Sequence, residues 1–184
     1  DWNGQSFAHC VNGVTIFGMG TNFVPMDSVT ARVTKERTYK LLRDCKEANH
    51  NVIRVWGGGY YPDDYFFDAC DEYGLLVWQD FMFCVSNYNL RDGFKENIAA
   101  EFVDVVKRIR NHASLALWCG SNELSQQVNW GTVRDFNYSG PYNDYRTFTF
   151  DMIPETLKKY DPDAFYWPSS PYGVKGDINP NEGN

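Results

Sequence analysis

The sequence predicts an α/β fold on the plan of a (β/α)8 TIM barrel, present as roughly its first five strand–helix units. Three observations carry this reading. Short apolar or β-branched runs alternate with longer stretches of helical period, the order that builds a parallel sheet with helices outside it. Gly57-Gly58-Gly59 after the second run fits neither the dinucleotide nor the P-loop spacing, and no glycine fingerprint follows the first run, so a doubly wound nucleotide fold loses ground. The chain has 184 residues, whereas a closed barrel takes about 250. Residues 1–184 therefore read as one domain, a barrel truncated before closure.

The elements follow in order. Ser6–Val11 and Val14–Phe17 flank Asn12-Gly13, the preferred dipeptide of a type I′ turn, and predict a hairpin. Strands are expected at Val14–Met19, Asn51–Trp56, Leu75–Gln79, Leu115–Cys119 and Phe165–Trp167. The first helix starts near Thr34, a suitable N-cap, with Leu41, Leu42, Cys45 and Ala48 on one face. The second runs from about Asp63 to Tyr73 and stops at Gly74. In the third, Phe94, Ile98, Phe102, Val105 and Ile109 form an apolar stripe, and Lys107, Arg108 and Arg110 suit the negative C-terminal end. The fourth spans roughly Tyr145 to Tyr160, with Pro154 breaking or kinking it.

Composition excludes several function classes. Lys and Arg number 17 and Asp and Glu 24, a net charge of −7. An acidic chain gains nothing from phosphate backbones or anionic lipid, so neither nucleic acid nor membrane is an expected partner. No apolar run is long enough to span a bilayer, and no basic segment with an apolar stretch opens the chain as a signal peptide would. Cys10, Cys45, Cys70, Cys84 and Cys119 are odd in number and form no CxxC pair. They read as small buried hydrophobes in a reducing compartment, which makes a cytoplasmic location the expectation. Three scattered histidines give no metal-binding pattern. Aromatic residues reach 17%, enough to build a core and also the platforms on which sugar rings stack.

A barrel places its chemistry at the C-terminal strand ends. Here those ends read Gly20-Thr21-Asn22, Arg54-Val55-Trp56, Trp78-Gln79-Asp80, Gly120-Ser121-Asn122-Glu123 and Trp167-Pro168-Ser169. Each sets a polar or charged residue near an aromatic one, which predicts a polar, aromatic-lined pocket. Arg54 is either a catalytic clamp or a structural ion-pair partner. Asp80 alone reads as a loop cap, and Trp56, Trp78 and Trp118 as core. Glu123 beside Asn122 has few packing reasons to stand at a strand end and is the candidate catalytic carboxylate.

These segments together resemble glycoside hydrolase family 2, in its β-mannosidase branch. The resemblance is carried by Gly20-Thr21-Asn22-Phe23-Val24-Pro25, by Asn51 through Gly59, by Cys70-Asp71-Glu72-Tyr73-Gly74 and by Leu76 through Phe83. Leu115 through Glu123 and Tyr166 through Gly173 complete it, so it covers nearly the whole chain. It implies a retaining exo-glycosidase that hydrolyses terminal β-D-mannose from oligosaccharides, with no metal or organic cofactor. Glu123 falls on the family's general acid/base, and Asn122 on the amide that holds the sugar 2-hydroxyl. Arg54 falls on the arginine that steadies the nucleophile, and Trp56 on an aromatic of the −1 subsite. Asp80 lines the same pocket by analogy, and Trp130 reaches the sugar from the loop after the fourth strand. Ser121 stands where asparagine is more usual. The nucleophilic glutamate belongs to a later strand, so the remainder of the parent chain is needed to close the barrel, and the isolated fragment is expected to be inactive. Other exo-specificities (β-glucosaminidase, β-galactosidase, β-glucuronidase) and a non-catalytic carbohydrate-binding module stay open.

Overall fold

The structure, a computed structural model, describes residues 7–125 and 141–173. Strands β1 (His9–Val11) and β2 (Val14–Ile16) form the expected hairpin. Asn12 and Gly13 both have positive φ, 52° and 80°, as a type I′ turn requires.

Five parallel strands make the main sheet in the order β3-β4-β5-β6-β7. They are β3 (Gly20–Phe23), β4 (Val52–Val55), β5 (Leu76–Asp80), β6 (Leu115–Cys119) and β7 (Tyr166–Trp167). Strands neighbouring in sequence are neighbours in space, as in a (β/α)8 barrel. The sheet is open, with β3 and β7 as its outer strands among the described residues.

The first sheet strand lies later than the apolar pattern predicts. Val14–Ile16 stays in the hairpin, and Gly20–Phe23 enters the sheet instead of looping away from it. Glycine and asparagine are poor strand formers, so the segment reads as a loop. Pairing overrides that preference: Gly20 lies opposite Val52 and Phe23 opposite Val55. A Cβ on Gly20 would sit 1.7 Å from the Val52 carbonyl oxygen, so the close approach needs glycine.

Helices α1 (Lys35–Glu47), α2 (Asp64–Tyr73) and α3 (Phe94–Ile109) follow β3, β4 and β5. The Thr34 hydroxyl accepts the Arg37 N–H at 3.3 Å and caps α1. Gly74, at φ 68°, ends α2. The stripe on α3 buries Ile98, Phe102, Val105, Val106 and Ile109. They join Ile53, Val55, Phe66, Phe67 and Val77 in one core. Each such side chain contributes about 1.5–3 kcal/mol by burial.

The fourth helical stretch is neither broken nor sharply stopped at Pro154. It runs as α4 (Pro141–Arg146), a π-helical turn (Thr147–Met152) and α5 (Ile153–Tyr160). Ile153 donates its N–H to the Phe148 carbonyl, five residues back. Pro154 cannot donate the next bond of that series, to Thr149. The Tyr166 hydroxyl takes the Thr149 carbonyl instead, at 2.7 Å. A proline is thus absorbed within a widened turn.

Cys70, Cys84 and Cys119 are buried and Cys45 half-buried, as expected, but Cys10 is exposed on the hairpin. No helix among the described residues is long and apolar enough to cross a membrane.

Candidate active site

Side chains alternate across a strand, so Ile53 and Val55 take the helix-facing side of β4 and Arg54 the other. On β5, Val77 and Gln79 are likewise opposed by Trp78 and Asp80. Register sets Arg54 opposite Trp78, and Asp80 opposite Cys119. Arg54 donates from Nε to Asp80 Oδ1 at 3.3 Å and from Nη2 to Oδ2 at 2.8 Å. Its guanidinium also stands 5.6 Å from the centre of the Trp78 ring, within cation–π range.

Asp80 is wholly buried. It further accepts the Gly57 N–H at 3.0 Å and the Trp78 indole N–H at 2.9 Å. Burial pushes its carboxyl above the ordinary range, while Arg54 and these two donors pull it back. Every donor points at the ionised form, which makes Asp80 the counter-ion of Arg54.

Beyond β6 the chain continues alongside the ends of its neighbours, with Asn122 bridging Cys84 and Ser170. The Asn122 N–H donates to the Phe83 carbonyl at 2.9 Å. Its side-chain Oδ1 accepts Arg54 Nη2 at 2.9 Å, and its Nδ2 donates to the Cys84 sulfur at 3.2 Å. Arginine only donates, so the amide orientation is decided.

Glu123 is half-buried and has φ 58°. Its N–H donates to the Ser170 carbonyl at 3.0 Å. A left-handed conformation costs an L-residue about 1–2 kcal/mol. It persists because the bonds of Asn122 and Glu123 to Phe83 and Ser170 over-determine it. The turn swings Glu123 off the strand direction at the end of the sheet.

Trp56 lies one residue past β4, half-buried, against Gly58, where a Cβ would come within 2.0 Å of its ring. The glycine run that fits no phosphate motif thus makes room for Trp56. Trp118, read as core, is fully buried on the helix side, stacked 5.2 Å from Phe81. The polar cluster therefore joins Arg54, Asp80 and Asn122 by hydrogen bonds, with Trp56 and Glu123 at adjoining strand ends. Trp130 lies outside the described residues. At the other end of the sheet a cavity of about 590 Å³ is lined by Phe7, Leu76, Leu115, Leu117 and Phe165 among others. None of the candidate residues lines it. Among the described residues no group of His, Cys, Asp and Glu side chains converges as metal ligands.

Comparison with known proteins adds to this geometry. Beta-mannosidase B of Aspergillus clavatus is 42% identical over 180 residues, which is 94% of this chain and 21% of that protein. Beta-mannosidase of Rattus norvegicus is 40% identical over 175 residues, again 94% of this chain and 20% of the relative. The crystal structure of Beta-D-Mannosidase from Dictyoglomus thermophilum matches with a TM-score of 0.85 and 37% identity, covering 100% of this chain and 22% of that one. This chain is homologous to β-mannosidases over nearly its whole length. It spans about a fifth of the length of the curated relatives it matches. No family model matches it.

In this β-mannosidase-like chain three residues make contacts in the candidate site that the sequence does not assign to them. Asn22 sits on β3, its Oδ1 3.5 Å from Arg54 Nη1. Its strand-end position is legible in the sequence, but its partner is not. Trp78 reads as core, yet its indole N–H serves Asp80. The parity of positions 78 and 80 was the available signal. Cys84 carries no sequence signal at all, because its role depends on a partner 38 residues away.

Proposed function

We propose that the complete protein is a retaining exo-glycosidase that removes terminal β-D-mannose from oligosaccharides. Residues 1–184 form one domain, the part of its catalytic barrel that carries the acid/base half of the site. The observation that carries this is Glu123, held in a left-handed turn at the end of β6 beside the Arg54–Asn122 pair. Identity of 42% to a β-mannosidase supports the sugar.

Glu123 is the general acid/base. It protonates the leaving oxygen and then takes a proton from the attacking water. Asn122 holds the sugar 2-hydroxyl, and Trp56 and Trp130 supply aromatic contacts. Arg54 steadies the nucleophile. Asp80 acts through Arg54, because its four bonds leave it no access to sugar.

Retention needs a second carboxyl group about 5–5.5 Å from the first. Asp80 is unsuited to attack, being buried and saturated by donors. The resemblance to family 2 puts the nucleophile in a part of the protein beyond residues 1–184, and these residues alone are expected to show no turnover.

The test uses the complete protein and an aryl β-mannoside with a good leaving group. Such a substrate barely needs the acid, so Glu123→Ala leaves the first step and stalls the second. Recovery of rate by azide, with a β-mannosyl azide product, supports both the acid/base role and retention. Absence of wild-type cleavage overturns the sugar assignment. Cleavage untouched by Glu123→Ala overturns the site.

A further inference from the structure

We propose that Cys84 is a positioning residue, whose sulfur holds the Asn122 amide in the orientation that grips the sugar 2-hydroxyl. The inference rests on the reading of Asn122 as a sugar-binding amide and extends it to a residue that never touches the sugar.

The Asn122 side chain is pinned from two sides. Arg54 holds its oxygen at 2.9 Å and is itself locked onto Asp80. Cys84 Sγ accepts from its nitrogen at 3.2 Å. Without an acceptor there, one N–H loses its partner and the amide plane is free to turn about the single remaining contact. With the acceptor in place, the second N–H of the same nitrogen has a set direction.

Cys84 is itself held firmly. Its N–H donates to the Tyr88 hydroxyl at 3.0 Å, and that hydroxyl donates back to the Cys84 carbonyl at 3.1 Å. Phe83 before it is buried and stacked on Phe148 at 4.4 Å between ring centres. The Phe83 carbonyl takes the Asn122 N–H, tying the two segments together. The Cys84 backbone is therefore anchored beside the amide. Burial raises the thiol above its ordinary range; the Asn122 N–H and the Arg54 charge oppose this and the Glu123 and Asp80 charges add to it, so it meets the amide as a neutral group.

The experiment compares two substrates on the complete protein: an aryl β-mannoside and its 2-deoxy analogue. The variants are Cys84→Ala, Cys84→Val, Cys84→Ser, Asn122→Ala and the Cys84→Ala/Asn122→Ala pair, with Cys10→Ser as the exposed-thiol control. Cys84→Val fills the space without an acceptor and keeps the test open if Cys84→Ala folds poorly. On the mannoside, loss of the acceptor is expected to lower kcat/KM about tenfold, the scale of one hydrogen bond realised in the transition state. On the 2-deoxy substrate, and in the Asn122→Ala background, the same change should cost less than about twofold. Cys84→Ser, which restores an acceptor, recovers part of the loss. Equal losses on both substrates would mean a merely structural thiol and overturn the proposal, as would no loss on either. If the wild type does not cleave the mannoside, the functional reading falls and the proposal falls with it. If it does, any failure belongs to Cys84 alone.

Discussion

Arg54 and Asp80, 26 residues apart in the chain, meet as a two-pronged ion pair with oxygens at 3.3 and 2.8 Å. The carboxylate is wholly buried, and the arginine side chain is 17% exposed. The pair is thus the floor of the site, and Arg54 uses the same Nη2 to reach Asn122 at 2.9 Å. Removing one partner of a buried pair strands the other charge, at about 3–5 kcal/mol. Asp80→Leu is expected to cost about 3 kcal/mol in urea denaturation, and Arg54→Leu with Asp80→Leu less than Asp80→Leu alone. A double variant as unstable as the sum of the singles would show that the two charges are not coupled.

The φ of 58° at Glu123 sets a second expectation. Alanine carries the same left-handed penalty as glutamate, and glycine does not. Glu123→Gly should therefore be about 1 kcal/mol more stable than Glu123→Ala. Both should lose turnover of substrates with poor leaving groups. Thermal melting of the two variants decides the point, and equal stability would mean the turn is unstrained.

Asp71 supplies a pH dependence. It accepts the Ser114 N–H and the His112 Nδ1, each at 2.7 Å, which joins α2 to the turn before β6. Burial pushes its carboxyl up, but Ser114 and His112 outweigh that and leave it below the ordinary value. The folded pKa is depressed, so the stabilisation is present above the ordinary carboxylate range. It is lost as pH falls through that range toward the folded value. Asp71→Asn should cost about 1 kcal/mol at pH 7, given its partial exposure. The gap to wild type should close progressively below about pH 4. Denaturation across a pH series measures it, and a gap constant with pH would remove the charge from the explanation.

Tyr166 tests the π-helical turn. Its hydroxyl satisfies the Thr149 carbonyl that Pro154 leaves without a backbone donor. Tyr166→Phe orphans that acceptor and should cost about 1–3 kcal/mol. Pro154→Ala in the Tyr166→Phe background should recover part of the loss by returning a backbone N–H. No recovery would mean that the π turn has another cause.

Much of the fold was legible because its signals are local. The α3 stripe, the Thr34 cap, the Gly74 stop and the Asn12-Gly13 turn each lie within a few residues, and each holds in the structure. The alternation of runs made the parallel order readable, since sequential strands pair in sequence. Position at a strand end is equally local, and it singled out Arg54, Asp80, Asn122 and Glu123 as candidates.

What lay beyond the sequence depends on segments meeting across long separations. Gly20–Phe23 became a strand only because Val52–Val55 lies beside it. Asp80 became the counter-ion of Arg54, Cys84 the partner of Asn122 and Tyr166 the substitute for a missing amide through contacts no periodicity encodes. The sequence by itself determined the order of elements and the residues at their ends, because propensity, capping and period act within one or two turns of chain. Only the tertiary structure decided which of those residues bond to one another, because a hydrogen bond between positions 54 and 122, 68 residues apart, exists only once the sheet has set their strands side by side.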